Sequence, residues 1–270
     1  MLAMKKRILY VSQEISPYLP ENDLSKTSRF LPQAMNESGI EVRLFMPRFG
    51  CINERRHQLH EVIRLSGINL IVNDIDQPLI IKVASIPQAR MQVYFIDNEE
   101  YFKRKYTTQD KKGTFYKDND ERALFFCRGV LESVKKLGWS PDIIHCNGWM
   151  ASFLPMYLKK FYHDDPIFEK SKVVYSFYNQ PFSGNLGKGL VDKMKLDGYL
   201  DKELKGLENG NFKELSKTAI NFSDAIVKGS SDLDSELLNY LSNSELPTLE
   251  YSDDNYREQY KPFYEKLFSQ

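Results

Sequence analysis

The polar residues best placed for chemistry in this sequence come directly after a buried strand. Residues 139–151 are typical of a strand over Asp142–Cys146, a polar turn at Asn147 and Gly148, and a helix that reopens at Trp149. In open α/β sheets, ligands bind outside the carboxyl ends of the strands, so this turn lies where chemistry would take place. Neither an asparagine nor a glycine side chain can transfer a proton. The turn therefore indicates a scaffold whose reactive groups have been replaced.

Two other groups of residues have spacings that could do chemistry, and in both a structural role is favoured. Cys146 follows His145 directly, but alternation along a strand sends the two side chains to opposite faces, which prevents direct activation of the thiol. Cys51, His57 and His60 have a ligand-like spacing without a fourth ligand nearby. We therefore expect no metal site, no cofactor and no catalytic residue that can be named with assurance. His145 is expected to be buried and hydrogen-bonded.

The loop after the first predicted strand is where a doubly wound protein would bind a phosphate through glycine amides and a helix N-terminus. The residues found there are Pro20, Glu21, Asn22 and Asp23. Proline lacks an N–H, and two carboxylates repel phosphate. The loop therefore predicts a helix-capping turn, with Asp23 or Ser25 as the cap, and not a nucleotide loop.

Aromatic and acidic residues near the predicted crevice each allow two interpretations. The aromatic side chains that could stack on sugar rings are Tyr18, Trp149, Tyr178 and Phe182. Aromatic residues are also ordinary core material, and we favour the core. Asp118 and Asp120 precede a long predicted helix, which indicates capping first and ligand contact second. Residues 101–116 form a loop rich in basic and aromatic residues.

Composition limits the class of protein. The 270 residues contain 37 Lys and Arg and 37 Asp and Glu, so no general attraction to nucleic acid or to an anionic membrane is expected. The three cysteines are scattered and odd in number, which favours a reducing cytoplasm over a disulfide framework. The apolar run Ile8–Val11 after the basic start is too short for a signal peptide. A cytoplasmic location without membrane insertion is expected.

Hydrophobic periodicity predicts the fold class. A strand at Ile8–Val11, a helix at Lys26–Glu37 and a strand at Glu41–Met46 form a βαβ unit. We therefore predict α/β: a single doubly wound Rossmann-like domain with a parallel central sheet and an antiparallel β extension. The extension is expected from four short runs at hairpin spacing, namely 61–65, 68–72, 79–84 and 91–96. Further helices are expected over 118–137, 149–161 and within 187–222, with strands at 172–177 and 225–227 and a helix capped by Ser231.

The predicted boundaries divide the chain into a domain over residues 5–245 and a polar, aromatic tail over residues 246–270. The tail is rich in tyrosine, and its position predicts a helix that packs back on the domain.

Five blocks, in order, resemble the N-terminal catalytic domain of bacterial and plant glycogen/starch synthases, the ADP-glucose-dependent glycosyltransferases with two Rossmann-like domains. The blocks are Ile8–Pro17, Leu31-Pro32 with residues 39–50, Tyr116–Ala123, Pro141–His145 with Trp149, and Phe222–Ile226 with Ser230. The resemblance extends over about residues 5–240. It implies one half of a two-Rossmann glycosyltransferase fold, with ADP-glucose as the donor substrate.

The departures from the family pattern fall on the residues that would do the chemistry. The Lys-x-Gly-Gly donor loop corresponds to residues 20–23, the second His and the Asp of the His-x-His-Asp-Trp block to Asn147 and Gly148, and the His-Asn pair to Tyr178 and Asn179. The C-terminal domain of the family has no counterpart in these 270 residues. The resemblance therefore implies a degenerate member with little or no glucosyltransferase activity of its own.

The positions that the resemblance would place along a sugar-binding groove are Asp118, Asn119, Arg122, Asn147, Trp149, Tyr178 and Asn179. The expected role of these residues is hydroxyl recognition and stacking, with an α-glucan or maltooligosaccharide as partner. Two alternatives stay open: a genuine ADP-glucose:α-glucan glucosyltransferase completed by a partner chain, and a non-catalytic scaffold or regulatory subunit. A protein partner or a homo-oligomer also stays open.

Overall fold

A mostly parallel sheet forms the centre of the molecule, seen in a computed structural model that describes residues 5–187, 189–252 and 255–269. Its strands are β1 (Arg7–Ser12), β2 (Glu41–Pro47), β3 (His60–Glu61), β4 (Ile68–Val72), β5 (Ile75–Ile86), β6 (Met91–Asp97), β7 (Ile143–Asn147), β8 (Lys172–Phe177), β9 (Ala225–Lys228) and β10 (Thr248–Leu249). Their order is β10-β9-β8-β7-β1-β2-β6-β5-β3, with β4 paired to β5. The pairs from β10 to β6 are parallel, and β5 pairs antiparallel with β3, β4 and β6. The α/β fold class predicted from the sequence is confirmed.

Helices cover both faces of this sheet. They are α1 (Asp23–Glu37), α2 (Glu54–His57), α3 (Glu99–Phe102), α4 (Asn119–Leu137), α5 (Leu154–Phe161), α6 (Gly189–Leu196), α7 (Phe212–Asn221), α8 (Ser235–Ser242) and α9 (Tyr256–Phe268). Helices α1 and α9 contact each other on one face, and α4 contacts α5, which contacts α7, on the other. The chain leaves β1 toward β2 and leaves β7 toward β8, so right-handed crossovers place α1 and α5 on opposite faces. The switch point of the doubly wound sheet therefore lies between β1 and β7.

Among the predicted elements whose bounds or partners differ from the structure, four change the description of the fold. Residues 63–65 form a turn, so the predicted strand over 61–65 shrinks to the two residues of β3. The predicted run over 91–96 is β6, which is parallel to β2 as well as antiparallel to β5 and so belongs to the central sheet. The region predicted as one helix from Trp149 is a 3-10 turn followed by α5. Helix α8 is capped by Asp234 and not by Ser231, because the Asp234 carboxylate accepts hydrogen bonds from the amides of residues 236 and 237.

Helix α9 packs on α1 and on β7 and β10, and its Tyr264 reaches Tyr10 of β1. Tyr256, Tyr260 and Tyr264 repeat every fourth residue on one side of the helix and are buried, with successive ring centroids 6.1 and 6.0 Å apart. A four-residue spacing places side chains one above another on a helix, so the three rings form a continuous aromatic face toward the sheet. Of the tail predicted over residues 246–270, residues 253, 254 and 270 lie outside the described part.

Candidate functional site

The crevice at the switch point is closed by contact between the loops that follow β1 and β7. Gln13 donates its main-chain N–H to the Asn147 carbonyl at 3.2 Å, and its side-chain carbonyl accepts the Met150 amide at 3.1 Å. Gly148 has a φ of +84°, and a Cβ at this position would lie 2.6 Å from Leu24 Cδ1. Glycine is therefore required at residue 148 both for its backbone conformation and for the approach of α1.

The loop between β1 and α1 satisfies its own helix N-terminus. Asn22 is the N-cap: its Oδ1 accepts the Ser25 amide at 2.8 Å, and its own amide donates to Ser25 Oγ at 2.9 Å. Asn22 Nδ2 donates to Glu14 Oε2 at 2.6 Å, and Asp23 occupies the first turn. The predicted capping turn is present, with Asn22 as the capping residue where Asp23 or Ser25 was expected. Because the capping box uses the amides of residues 22 and 25 and two carboxylates lie beside it, this loop is poorly suited to a diphosphate.

A cavity of about 620 Å³ lies beside this loop, on the side of the basic and aromatic segment. The lining residues are Glu14, Tyr18, Leu19, Pro20, Asn22, Cys51, Lys105, Tyr106, Thr107, Thr108, Gln109 and Asp110. Its ionisable side chains of fixed sign are two carboxylates and one lysine, and most of the remaining polar groups are neutral. Tyr106 is 38% exposed. The cavity suits a neutral, hydroxyl-rich ligand better than a phosphate.

Asp118, at the N-terminus of α4, pairs with an arginine from the same segment. Arg104 donates Nη1 to Asp118 Oδ1 at 2.6 Å and Nη2 to Oδ2 at 2.5 Å, and its guanidinium lies 4.6 Å from the Tyr116 ring centroid. Burial alone would raise the pKa of Asp118, but the hydrogen bonds and charge of Arg104 outweigh it and hold the pKa below the usual value. Asp118 occupies the N-cap position of α4 as expected, but its carboxylate makes no capping hydrogen bond, so side-chain capping by Asp118 is wrong.

Asp120 likewise binds a lysine. Its side chain is buried, and Lys193 Nζ lies 2.6 Å from Asp120 Oδ2 and 2.8 Å from Glu121 Oε1. Burial is the largest effect on the Asp120 carboxyl and raises its pKa. This ion pair connects the first turn of α4 to α6.

Arg122 and Asn119 connect the first turn of α4 to the segment that lines the cavity. Arg122 is fully buried; its Nε donates to the Tyr101 carbonyl at 2.8 Å and its Nη1 to Asn119 Oδ1 at 2.5 Å. Asn119 Nδ2 donates to the carbonyl of Thr108, a cavity residue, at 2.8 Å. The guanidinium faces the rings of Phe49, Phe102 and Tyr116 at 5.3–5.6 Å. Burial lowers the pKa of Arg122 to about 10, so the side chain stays charged at neutral pH.

The remaining residues that the resemblance selects lie at the ends of β7 and β8. Tyr178 donates its hydroxyl to Asn147 Oδ1 at 3.1 Å, and both residues are buried. Trp149 is buried against Phe115 and Phe182, with ring centroids 5.8 and 4.9 Å away. Asn179 is exposed and donates to Asp232 at 2.8 Å.

Five of the seven expected groove residues thus form two clusters, apart from Trp149 and Asn179. Asp118, Asn119 and Arg122 lie together at the start of α4, and Asn147 lies with Tyr178. Five of the seven are buried, whereas Asp118 keeps a quarter of its side chain exposed and Asn179 is open to solvent. Direct contact of any of them with a sugar stays a prediction.

Sequence reasoning missed the residues that line the cavity. Lys105–Asp110 form one wall of it, and Arg104 next to them holds Asp118. The available signal was the run of aromatic and basic residues from Tyr101 to Tyr106 in a loop, a combination with no structural explanation in the sequence alone.

A chain of buried polar groups lies under α9, next to the site. His145 is fully buried, with Nδ1 2.6 Å from the Tyr264 hydroxyl and Nε2 2.6 Å from Ser176 Oγ, and the Tyr10 hydroxyl lies 3.3 Å from that of Tyr264. Burial lowers the pKa of His145 to about 3, so the imidazole is neutral. The predicted buried and hydrogen-bonded state of His145 is confirmed. Since both ring nitrogens are occupied, this histidine is not available as a catalytic base.

Within residues 5–187, 189–252 and 255–269, no group of three or more His, Cys, Asp or Glu side chains could hold a metal ion. Cys51, Cys127 and Cys146 are free thiols. Among the described helices, none combines the length and apolar character needed to span a bilayer.

Comparison with known proteins identifies the family. A family model described as "Starch synthase catalytic domain" matches residues 7–248. A glycogen synthase of Chlorobaculum parvum is 36% identical over 223 residues, which are 82% of this chain and 45% of that protein. A glycogen synthase of Chlorobium luteolum is 40% identical over 189 residues, 70% of this chain and 39% of that protein. The chain spans less than half the length of the curated relatives it matches.

The fold agrees with that assignment. The catalytic domain of starch synthase IV from Arabidopsis thaliana, a structure bound to ADP and acarbose, superposes with a TM-score of 0.72. The sequences are 18% identical, and the match covers 93% of this chain and 52% of the plant chain. With the family model matching most of its length, the chain belongs to the starch synthase catalytic domain family of glycosyltransferases.

Proposed function

We propose that this chain is an α-glucan-binding member of its family that carries the acceptor side of the site and transfers little or no glucose by itself. The capping box of Asn22 and Ser25 is the observation that supports this proposal most directly. It uses the amides of residues 22 and 25 internally, at the place where the family resemblance puts the donor loop.

The electrostatics of the loop support the same conclusion. Transfer from a sugar nucleotide develops negative charge on a departing diphosphate, which needs amide donors or cations for stabilisation. Glu14 and Asp23 flank the capping box, and Pro20 has no N–H to donate. Loss of one such stabilising group typically costs about 10²–10³ in rate. Several are replaced here, so slow or absent transfer is the expected outcome.

The neighbouring cavity supports the binding half of the proposal. Thr107, Thr108 and Gln109 offer neutral groups that hydrogen-bond hydroxyls, and Tyr106 offers an exposed ring for the apolar face of a sugar. Most carbohydrate ligands are uncharged, so a site with few cations meets their needs. A maltooligosaccharide is the ligand that fits both this chemistry and the family. The three cysteines of the chain are free thiols, which agrees with a cytoplasmic location for the protein.

Calorimetry with a maltooligosaccharide and, separately, with ADP tests the proposal on the 270-residue chain. We expect heat from the oligosaccharide and none from ADP. Tyr106→Ala should weaken oligosaccharide binding about 2- to 10-fold, the value of one aromatic contact, without changing the thermal midpoint. Phe30→Ala is the matched control: its ring is also exposed, lies outside the cavity lining, and should leave binding unchanged.

Incorporation of labelled glucose from ADP-glucose into glucan tests the second part of the proposal, that the chain transfers little or no glucose by itself. The isolated chain should give turnover at least about 10²-fold below a two-domain relative assayed in parallel. Turnover equal to that of the relative would overturn the assignment as an acceptor-side protein. Silent calorimetry with the oligosaccharide would overturn glucan binding.

A further inference from the structure

Strand β4 has one edge that pairs with no other strand among the described residues. Its Ile68–Val72 pair antiparallel with Leu79–Ile75 of β5 on one side only. Unpaired strand edges are templates for another strand, and proteins commonly protect them with charge, proline or bulges. The five residues of β4 contain no charged side chain and no proline. The strand itself therefore carries none of these protections, and the charges that reach its edge come from α4, where Arg128 and Lys136 donate to the carbonyls of residues 71 and 66.

The hairpin geometry shows which groups this edge presents. Asn73 and Asp74 both have positive φ and join Val72 directly to Ile75 in a two-residue turn. Such a turn closes on a hydrogen-bonded pair, so alternate residues point their main-chain groups away from β5. Asn69 and Ile71 are the outward residues. The Ile71 carbonyl accepts Arg128 Nη1 at 2.5 Å, which agrees with this direction.

The side chains of the hairpin are divided between two faces. Leu70 and Val72 are buried, and β4 packs on α4. Ile71 and Ile75 are 54% and 53% exposed, and Ile63 before the strand is 82% exposed. The register pairs Ile75 with Val72, so Ile75 lies on the other face of the hairpin from Ile71, and Ile71 is the exposed large apolar side chain of β4 itself.

Charges at the two ends of β4 are complementary under a two-fold axis. Lys136 Nζ contacts the Ser66 carbonyl at 3.2 Å, before the strand, and Asp74 lies in the turn after it. An antiparallel copy centred on Leu70 would pair residue 69 with residue 71 of the copy and bring the turn of one chain beside Ser66 of the other. Each Asp74 would then approach the Lys136 of the other chain. Neither side chain forms an ion pair within the described part of this chain.

We propose that the free edge of β4 is the contact through which two copies of this chain associate, as an antiparallel β4–β4 pair around a two-fold axis at Leu70. In this pairing each Asn69 N–H donates to the Ile71 carbonyl of the other copy, and each Ile71 N–H donates to the Asn69 carbonyl. A carbonyl oxygen has two lone pairs, so the Arg128 hydrogen bond can persist. The two exposed Ile71 side chains become diagonal neighbours and lose contact with water.

Sedimentation velocity across a wide range of protein concentrations tests this contact. The wild type should shift from monomer to dimer as concentration rises. Ile71→Lys should weaken the dimer by at least about tenfold, because two cations would meet beside the axis, while circular dichroism and the thermal midpoint stay unchanged. Phe30→Lys alters a similarly exposed ring on α1 and should leave the dimer intact.

Two charge substitutions, made singly and together, test the register of the β4–β4 pair. Lys136→Glu should weaken the dimer about three- to tenfold, because two symmetric ion pairs become repulsions. Asp74→Asn keeps the turn conformation, and adding it to Lys136→Glu should recover part of the loss. Sedimentation as a monomer at every concentration overturns the proposal, as does a dimer that withstands Ile71→Lys. Sugar binding does not enter this test, so its result is independent of the proposed function.

Discussion

At the scale of single residues, Arg122 is a position selected by family resemblance that the structure places inside the protein. Its guanidinium holds the Tyr101 carbonyl and the Asn119 side chain, and Asn119 holds the Thr108 carbonyl of the cavity wall. Arg122 therefore holds the cavity wall in position from inside the protein, without itself lining the cavity. A buried charge with this many contacts is costly to alter, since its partners lose their hydrogen bonds when it changes.

We predict that Arg122→Lys destabilises the fold by about 2–4 kcal/mol. Lysine keeps the charge but cannot donate along the two directions that the planar guanidinium uses, and its ammonium is more strongly hydrated. Urea unfolding followed by fluorescence measures the change. Arg56→Lys, at an exposed position on α2, is the control and should leave the midpoint where it is. An unchanged midpoint for Arg122→Lys would show that its hydrogen bonds do not contribute to stability.

For single residues, the sequence allowed the chemical character of a loop to be predicted, but not the tertiary contacts of its side chains. Pro20 to Asp23 were correctly interpreted as a capping turn, because the absence of an N–H and the carboxylates are visible in the residue types. The pairing of Asp118 with Arg104 could not be foreseen, since it depends on how a loop without regular structure folds back on α4. Sequence separation alone does not define such a geometry.

At the scale of elements, α9 is attached to the sheet by hydrogen bonds in an otherwise apolar interface. Tyr264 is the only residue of α9 placed between His145 and Tyr10 within the described chain. Buried polar groups are stabilising only when all of them are satisfied, so this interface accepts one orientation of α9 in preference to others. The hydroxyl fixes the helix along its axis as well as in rotation.

We expect Tyr264→Phe to lower the free energy of unfolding by about 1–3 kcal/mol, because the deletion leaves His145 Nδ1 buried without a partner. Denaturant titration of the purified variant gives the value. Tyr260→Phe changes the neighbouring ring on the same side of α9, whose hydroxyl forms no hydrogen bond with a described residue, and should cost less. Equal effects from both variants would mean that packing, and not the hydrogen bond, holds α9.

The elements themselves were largely predictable because their apolar periodicity is strong. Strand β8 has the predicted bounds, and α4 ends at the predicted Gly138, which adopts the left-handed conformation there. The errors concern strand pairing, because the apolar periodicity of a strand does not identify its neighbours in the sheet. The run over 91–96 was correctly expected as a strand, but no local signal states that β6 pairs with β2, whose partner residues lie 49 positions earlier (Leu44 with Val93), as well as with β5.

At the scale of the whole molecule, stability should depend on pH through His145. Its pKa is lowered to about 3 by burial in the folded chain, against about 6.5 in an unfolded one. Between these values the unfolded state binds a proton that the native state does not. Native stability is therefore complete above about pH 6.5, falls as pH drops toward about 3, and levels off below that, with a slope of up to about 1.4 kcal/mol per pH unit from this group.

Nuclear magnetic resonance of the imidazole signals isolates this effect from that of the carboxylates. The His145 signals should keep their neutral shifts from pH 7 to pH 5, the other histidines serving as internal references. A His145 signal that moves with a midpoint near pH 6 would contradict the buried, neutral state.

The doubly wound architecture and the family were both accessible from the sequence, whereas the openness of the site was not. Five blocks in the right order indicated the family, and the family model matches residues 7–248. Burial of Asn147, Trp149 and Tyr178 depends on how α1, α9 and the aromatic segment cover the strand ends. This burial depends on the tertiary structure and cannot be recognised in any short segment of the sequence.

The position of Tyr264 has a consequence for how the protein is made. Tyr10 and His145 leave the ribosome long before the helix that covers them, so their polar groups face solvent until about the last turn of α9 has been synthesised. Completion of this face therefore waits for the synthesis of residue 264. Nascent chains stalled before residue 264 should be the forms most readily captured by chaperones and cleaved by proteases.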